Sequence, residues 1–196
     1  MSDATVYVVE VDSRLTGNSS DLAGYKESTS TASSFQKRIV ENPKIRMVQS
    51  SVAAMCGLDL KVYFMKSKPG LAQHFREGGE YGVMSAFQMD PGLLAGNNGI
   101  ATYLTLMDLD LGLSEYIVTG KAYVVCGDGS RPLSRGQVWG IQEMVNCAMD
   151  VYDMELKNRR AARRLLEKWA KQYRAGKFKP PSGSRGVNIY SDRVVA

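Results

Sequence analysis

Histidine, cysteine and the common catalytic motifs are scarce in this chain of 196 residues. The single histidine, His74, excludes metal sites that need two histidines and weakens the case for any histidine-based triad. The three cysteines, Cys56, Cys126 and Cys147, lack the spacing of a metal-binding motif, and an odd number argues against a disulfide framework. We therefore expect no metal and no cofactor, and we expect the cysteines to be free thiols buried as small hydrophobic side chains.

The sequence also lacks the usual nucleotide-binding and serine-nucleophile motifs. The glycines at 96–99 and 127–129 match neither G-x-G-x-x-G at the start of a helix nor a phosphate-binding loop ending in Gly-Lys-Ser/Thr. There is no G-x-S-x-G motif. No apolar run approaches the roughly 18 residues needed to cross a bilayer. Residues 1–4 lead into a strand-like pattern instead of a secretory signal, so we predict a cytoplasmic protein without a membrane span.

What is present is a set of short apolar stretches separated by turn signals. They predict strands at 5–11, 45–50, 60–66, 100–109 and 115–125, the last two as an antiparallel pair joined near Gly112. Residues 15–34 are polar and predict a surface loop, and a short helix is expected from Ser33 or Ser34 to Glu41. Because the connections are too short for repeated right-handed crossovers, we predict an α+β fold. Its small mixed or antiparallel sheet is expected to pack on one long C-terminal helix.

A long helical run is predicted from Leu133 to Lys179. Ser134 can cap its first turn, and no proline follows until Pro180. Apolar residues recur every three or four positions, at Val138, Ile141, Val145, Ala148 and Tyr152 and again at Ala162, Leu166, Trp169 and Tyr173. Glu155 and Arg159 interrupt this stripe. A helix of about 40 residues would span about 60 Å, so its far half must meet a partner or fold back.

The charges are distributed unevenly along the chain. Residues 1–156 contain 13 Lys and Arg against 18 Asp and Glu, a net charge of −5. Residues 157–196 contain 12 against 2, a net charge of +10. We therefore divide the chain into an acidic α+β body at 1–156, a basic helical extension at 157–179 and a flexible tail at 180–196. A basic extension can attract nucleic acid, an anionic membrane face, an acidic partner or the acidic body of a second copy of the chain.

The basic extension contains the candidate site. Its cations can neutralise phosphates, and its aromatic rings can stack on bases. The residues are Arg159, Arg160, Arg163, Arg164, Lys168, Trp169 and Tyr173. The leading hypothesis is a non-enzymatic protein that associates with itself or another protein through the long helix. The alternative hypothesis is sequence-tolerant binding of nucleic acid by the same helix.

A third hypothesis is a small enzyme. His74 lies in a glycine-rich stretch and is a candidate general acid or base. Asp108 and Asp110 alternate as on one side of a strand, where two carboxylates can share a proton or bind a cation. Asp150 and Asp153, with Glu155 nearby, more simply form salt bridges on the surface of a helix. A lone histidine is more often simply packed or exposed, and such carboxylates are more often solvated, so we predict no catalytic or metal-binding set.

Overall fold

The computed structural model describes residues 3–12, 25–66, 98–108, 113–114, 118–154 and 159–179. The strands are β1 (Thr5–Val11), β2 (Tyr25–Thr31), β3 (Ile45–Gln49), β4 (Leu60–Met65), β5 (Leu106–Asp108), β6 (Leu113–Ser114) and β7 (Ala122–Cys126). Five of them form an antiparallel sheet in the order β2-β1-β7-β4-β3, and β5 and β6 form a separate antiparallel pair. The predicted α+β class, with an antiparallel sheet, is confirmed.

Helices lie on both faces of the five-stranded sheet. They are α1 (Ala32–Phe35), which continues as a π-helical turn over Gln36–Val40, α2 (Ser51–Met55), α3 (Gly99–Leu104), α4 (Arg135–Met154) and α5 (Arg159–Arg174). The predicted cap of the long helix is confirmed at the start of α4. The Ser134 Oγ accepts a hydrogen bond from the Gln137 N–H at 3.2 Å, and the Ser134 N–H donates to the Gln137 side chain at 2.9 Å. This reciprocal arrangement satisfies two donors at the helix start.

The two faces of the sheet bury two separate apolar clusters. In β1, Val9 and Val11 contribute to the larger cluster, whereas Val6 and Val8 contribute to the smaller one. This division follows from the alternation of side chains along a strand. The larger cluster includes residues of α2, α3, α4 and α5, and the smaller one is covered by α1 and the π-helical turn. Among the described residues, more helices therefore cover one face of the sheet than the other.

Two predictions about local structure were wrong. Strand β2 (Tyr25–Thr31) lies in the segment predicted as a loop, because its serines, threonines and charges mark an exposed edge strand that has no apolar alternation. Helix α3 (Gly99–Leu104) lies where a strand was predicted. There Asn98 caps the helix through the Ala101 N–H at 3.1 Å, and its side-chain amide donates to the Val11 and Gly120 carbonyls, each at 2.8 Å.

The prediction of a single long C-terminal helix is also corrected. The structure describes two helices, α4 and α5, and residues 155–158 lie outside the described residues. The Tyr173 hydroxyl donates to the Gln137 carbonyl at 2.9 Å. In one straight helix these residues would lie about 54 Å apart. Helix α5 therefore packs alongside α4, and the apolar stripe of its sequence faces the chain's own core.

Candidate nucleic-acid interface

Helix α5 is strongly amphipathic and has a well-defined end. Its sequence, RRAARRLLEKWAKQYR, places large apolar residues three and four positions apart and cations between them. At the end of the helix, Gly176 adopts a φ of +65°. The Lys177 N–H donates to the Gln172 carbonyl at 2.8 Å, and the Gly176 N–H donates to the Tyr173 carbonyl at 2.9 Å. These two hydrogen bonds form a Schellman motif, which a left-handed glycine favours.

The inner face of α5 is part of the main core. Leu166 is 1% exposed, Trp169 is 7% exposed, and both belong to the larger apolar cluster together with Ala170. The Trp169 ring also packs edge-on against Phe178, with ring centroids 6.3 Å apart. Burial raises the pKa of the Tyr173 phenol, whose hydroxyl is hydrogen-bonded to α4. Trp169 and Tyr173 were predicted as stacking residues for a ligand, but Trp169 is buried in the core and Tyr173 is partly buried against it.

Gly140 of α4 permits the close approach of α5. A Cβ atom at this position would lie 2.8 Å from Cε2 of Tyr173. That distance is shorter than a van der Waals contact between carbon atoms. The absence of a side chain at Gly140 therefore lets the tyrosine ring lie against the backbone of α4, where its hydroxyl can reach Gln137.

The outer face of α5 carries cations on one side of the helix. The basic surface of α5 is defined here as its exposed cations Arg160, Arg163, Arg164, Lys168, Lys171 and Arg174. At 3.6 residues per turn these positions cover an arc of about 140°. The exposed cations therefore lie on the side of α5 that faces away from the core. The side chain of Arg159 lies outside the described part of the chain.

The predicted site left out two members of this surface. Lys171 and Arg174 were not assigned to the predicted site, although both fall on the same arc. Their helical spacing from Arg160 and Arg164 was the signal that could have identified them. Four of the predicted cations have described side chains, and all four are exposed.

The basic surface is only weakly neutralised by its own helix. Seven cations of α5 are accompanied by one carboxylate, Glu167, and the first turn contains no acidic residue. Glu167 lies 3.4 Å from the Nε of Arg163, and both side chains are more than half exposed. An exposed pair of this kind adds little stability and leaves most of the positive potential in place. The arrangement can therefore attract an extended anion.

The other sequence candidates are not brought together in the described residues. His74, Asp110 and Glu155 lie outside them, and only the backbone is described for Asp108, Asp150 and Asp153. Within the described ranges no three His, Cys, Asp or Glu side chains could hold a metal ion together. No group of described side chains therefore supports the catalytic hypothesis.

None of the three cysteines forms a disulfide, as predicted, and Cys56 and Cys147 are buried whereas Cys126 is partly buried. Burial raises the pKa of the Cys56 thiol to about 12, and the Cys56 sulfur lies 3.9 Å from that of Met144. Burial also raises the pKa of Cys126. Because the thiolate is the nucleophilic form of cysteine, both residues are poorly suited to covalent catalysis at neutral pH.

A second group of cations lies on the other face of the sheet. A surface recess of about 660 Å³ is lined by Lys37, Arg38 and Lys44, together with Glu41, beside the π-helical turn. These four residues are exposed. Nothing buried and polar points into the recess among its lining residues, so it lacks the enclosed character of a small-molecule site. It does provide a natural control for experiments on the basic surface of α5.

No protein-family model, curated protein or solved structure matches this chain. None of the helices in the described ranges is long and apolar enough to cross a membrane. The geometry of the described surface is therefore the basis for a functional proposal.

Proposed function

We propose that this protein is a non-enzymatic binding protein whose basic surface of α5 binds the phosphate backbone of double-stranded nucleic acid without reading its sequence. The observation that carries the proposal is the division of α5 into two faces. Its residues Leu166, Trp169 and Ala170 are buried in the core, whereas its cations are exposed next to one another. Lys and Arg residues that neutralise phosphates release condensed counterions, which supplies most of the free energy of sequence-independent binding.

The spacing of the cations supports an extended and regular anion as the ligand. Arg160, Arg164 and Lys168 follow one another at intervals of four residues. This interval corresponds to about 6 Å along a helix axis. Arginine in particular offers several N–H donors in a planar fork that matches a phosphate group. A row of this kind contacts successive phosphates more naturally than a single small anion.

The buried aromatic residues favour a double strand over a single strand. Proteins that bind single strands without sequence preference usually stack bases on exposed aromatic rings. In α5 the two candidate rings, Trp169 and Tyr173, are engaged in the core and with α4. The basic surface of α5 can thus contact phosphates but has no aromatic platform of its own for bases.

The first turn of α5 provides further support. Arg159 and Arg160 lie at the end of the helix where the backbone dipole is positive, and no carboxylate accompanies them there. Cations at this end are unfavourable by roughly 0.3–1 kcal/mol each. A bound phosphate would relieve this repulsion, because it interacts favourably with both the cations and the helix dipole.

Association through the apolar stripe of a long helix, which the sequence favoured, loses its supporting observation. Leu166 and Trp169 pack within this chain and are not available to a partner. An acidic protein surface remains the competing ligand for the cations, since it offers carboxylates instead of phosphates. Comparing a polyanion of carboxylates with duplex DNA distinguishes these two ligands.

The experiment measures binding of a fluorescent DNA duplex of mixed sequence as a function of salt concentration, by fluorescence anisotropy. We expect affinity to fall linearly on a logarithmic plot. The variant Arg160→Gln, Arg164→Gln, Lys168→Gln should weaken binding at low salt. It should also reduce the slope by up to about 2.7, since each lost contact to duplex DNA changes it by about 0.9.

A matched control removes three charges from the opposite face of the sheet, by Lys37→Gln, Arg38→Gln and Lys44→Gln. Both triple variants lower the net charge by three. We expect a much smaller change of the salt-dependence slope in the control variant, because its substitutions leave the basic surface of α5 intact. Equal losses in both variants would mean that net charge alone drives binding, and this would contradict the proposal. Tighter binding to polyglutamate than to duplex DNA at the same salt concentration would instead favour an acidic protein as the ligand.

A further inference from the structure

The two edges of the five-stranded sheet differ in how they are protected. Strand β2 exposes serines and threonines together with Lys26 and Glu27. Polar and charged side chains of this kind are a common protection against pairing with another chain. Strand β3, with the sequence IRMVQ, contains one charged residue and places Met47 at its centre. Met47 is 48% exposed.

The backbone of β3 offers unpaired hydrogen-bonding groups at its outer side. The Ser50 N–H donates to the Leu60 carbonyl and the Lys66 N–H donates to the Lys44 carbonyl, each at 2.8 Å. Because bonded positions alternate along an antiparallel strand, the even-numbered residues of β3 face β4. The N–H and C=O groups of Met47 and Gln49 therefore point away from the sheet. Neither backbone has a hydrogen-bond partner among the described residues.

Exposed apolar side chains surround this edge. In the described part of the chain, four large hydrophobic residues are notably exposed, and three of them lie here. Met47 belongs to β3, and Met65 (46% exposed) lies on β4 opposite Ile45 on the same face. Val40 (41% exposed) ends the π-helical turn that contacts β3. The edge thus combines free backbone groups with an apolar patch.

We infer that β3 pairs with β3 of a second copy of this chain, antiparallel about a two-fold axis at Met47, to give a continuous ten-stranded sheet. In this register the two Met47 residues exchange both of their backbone hydrogen bonds. Each Gln49 N–H also donates to the Ile45 carbonyl of the other copy. The Ile45 N–H takes no part, because it already donates to the Asn42 carbonyl at 2.9 Å.

The charges of the strand and the position of Met47 together favour this register. With the axis at Met47, Arg46 lies opposite Val48 of the other copy and Lys44 lies opposite Ser50, so no like charges are directly opposed. An axis at Ile45 would place Arg46 opposite Lys44, which is unfavourable in a cross-strand pair. An axis at Arg46 would place the two arginines opposite each other. An axis at Val48 or Gln49 would oppose no cations, but it would move the two Met47 side chains apart. The Met47 register is therefore the one that joins the apolar patches without opposing cations.

Pairing of β3 with β3 of a second copy suits this edge better than pairing of β3 with β2 of another copy. Pairing of β3 with β2 of another copy would be a heterologous contact, which leads to fibres unless the rotation closes. It would also bring the polar β2 against the methionine patch. The isologous β3 pair closes as a dimer and leaves only the protected β2 edges exposed. The inference is independent of the proposed binding of nucleic acid, because α5 lies on the other face of the sheet.

The first test is sedimentation velocity of the full chain over a wide range of protein concentration. We expect the mass to rise from that of the 21.6 kDa monomer towards the dimer. Met47→Lys places two cations directly opposite each other and should raise the dissociation constant by about tenfold or more. Thr29→Lys, near the centre of β2 and also exposed, is the matched control and should leave the dissociation constant unchanged.

The second test reports the register through disulfide formation. In a hydrogen-bonded antiparallel pair the two Cα atoms lie about 5.5 Å apart. This distance is within the range of roughly 4.4–6.8 Å that a disulfide spans. Under mild oxidation by copper phenanthroline, M47C should form covalent dimers much faster than Q49C or T29C. Equal rates for M47C and T29C, or a monomer at every concentration, would overturn the inference, and faster cross-linking of Q49C would overturn the register.

Discussion

The two faces of helix α5 perform different tasks with the same sixteen residues. The inner face, with Leu166, Trp169 and Ala170, is buried in the main core. The outer face carries the exposed cations of the basic surface. Because side chains on opposite faces of a helix share few partners, stability and binding should respond to separate substitutions. The difference teaches that a cationic sequence can be an integral part of a fold and still present its charge to a ligand.

The largest effect is expected at the inner face. Leu166→Ala removes a fully buried side chain and should lower the free energy of unfolding by about 2–5 kcal/mol. Urea denaturation measures this change. Leu165→Ala is the neighbouring control, and its cost should be smaller because Leu165 is only partly buried. Equal costs for the two variants would show that α5 does not pack as described.

The contact between α4 and α5 comes next. Gly140→Ala places a methyl group against the Tyr173 ring and should destabilise the protein by about 1–3 kcal/mol. Gly136→Ala is the matched control in the same helix, where the nearest atom is the Ser134 Oγ at 3.9 Å. It should stabilise the protein by about 0.4–1 kcal/mol. Thermal unfolding of both variants would contradict the close approach if the two shifts had the same sign.

A smaller effect is expected at the Tyr173 hydroxyl. Tyr173→Phe removes the hydrogen bond to the Gln137 carbonyl and should cost about 1 kcal/mol at neutral pH. Burial raises the pKa of this phenol in the folded state. The unfolded chain therefore loses its proton first, near pH 10, so that stability falls as the pH rises above this value. The variant should lose less stability over the same alkaline range, which urea denaturation at several pH values would reveal.

The smallest effect is expected at the outer face. The exposed pair of Arg163 and Glu167 should have a coupling free energy of only about 0.3–0.5 kcal/mol. A double-mutant cycle with Arg163→Ala and Glu167→Ala measures it, because the cycle removes other effects of each single substitution. Raising the salt concentration should reduce the coupling further. A coupling free energy as large as the loss of unfolding free energy in Leu166→Ala would contradict the expectation that the inner face, and not the outer face, stabilises the fold.

The sequence predicted those elements whose signal is local. Strand β1 (Thr5–Val11) was recognised from its β-branched residues, and the cap at Ser134 from a hydroxyl placed directly before an apolar-periodic run. Strands β3 and β4 were also predicted within one residue of their ends. In each case neighbouring residues supply most of the information, because the alternation or the cap needs no knowledge of distant packing.

The sequence failed where tertiary contacts decide. Strand β2 forms because its backbone pairs along the whole of β1, although its side chains show no apolar pattern. Leu166 and Trp169 were recognised as apolar, but periodicity does not reveal whether a stripe meets its own sheet or another copy. For the candidate site, the exposed arginines were identified. The burial of Trp169 in the core and the hydrogen bond of Tyr173 to α4 depend on tertiary contacts instead.

The position of β7 (Ala122–Cys126) has a consequence for how the chain assembles. This strand lies at the centre of the sheet and pairs with both β1 and β4, although it follows them by many residues in the chain. The antiparallel pair β1–β2 and the antiparallel pair β3–β4 are therefore not hydrogen-bonded to each other directly. Both are joined only through β7. Folding must wait for contacts of high sequence separation, and such topologies fold slowly compared with helical bundles of local contacts.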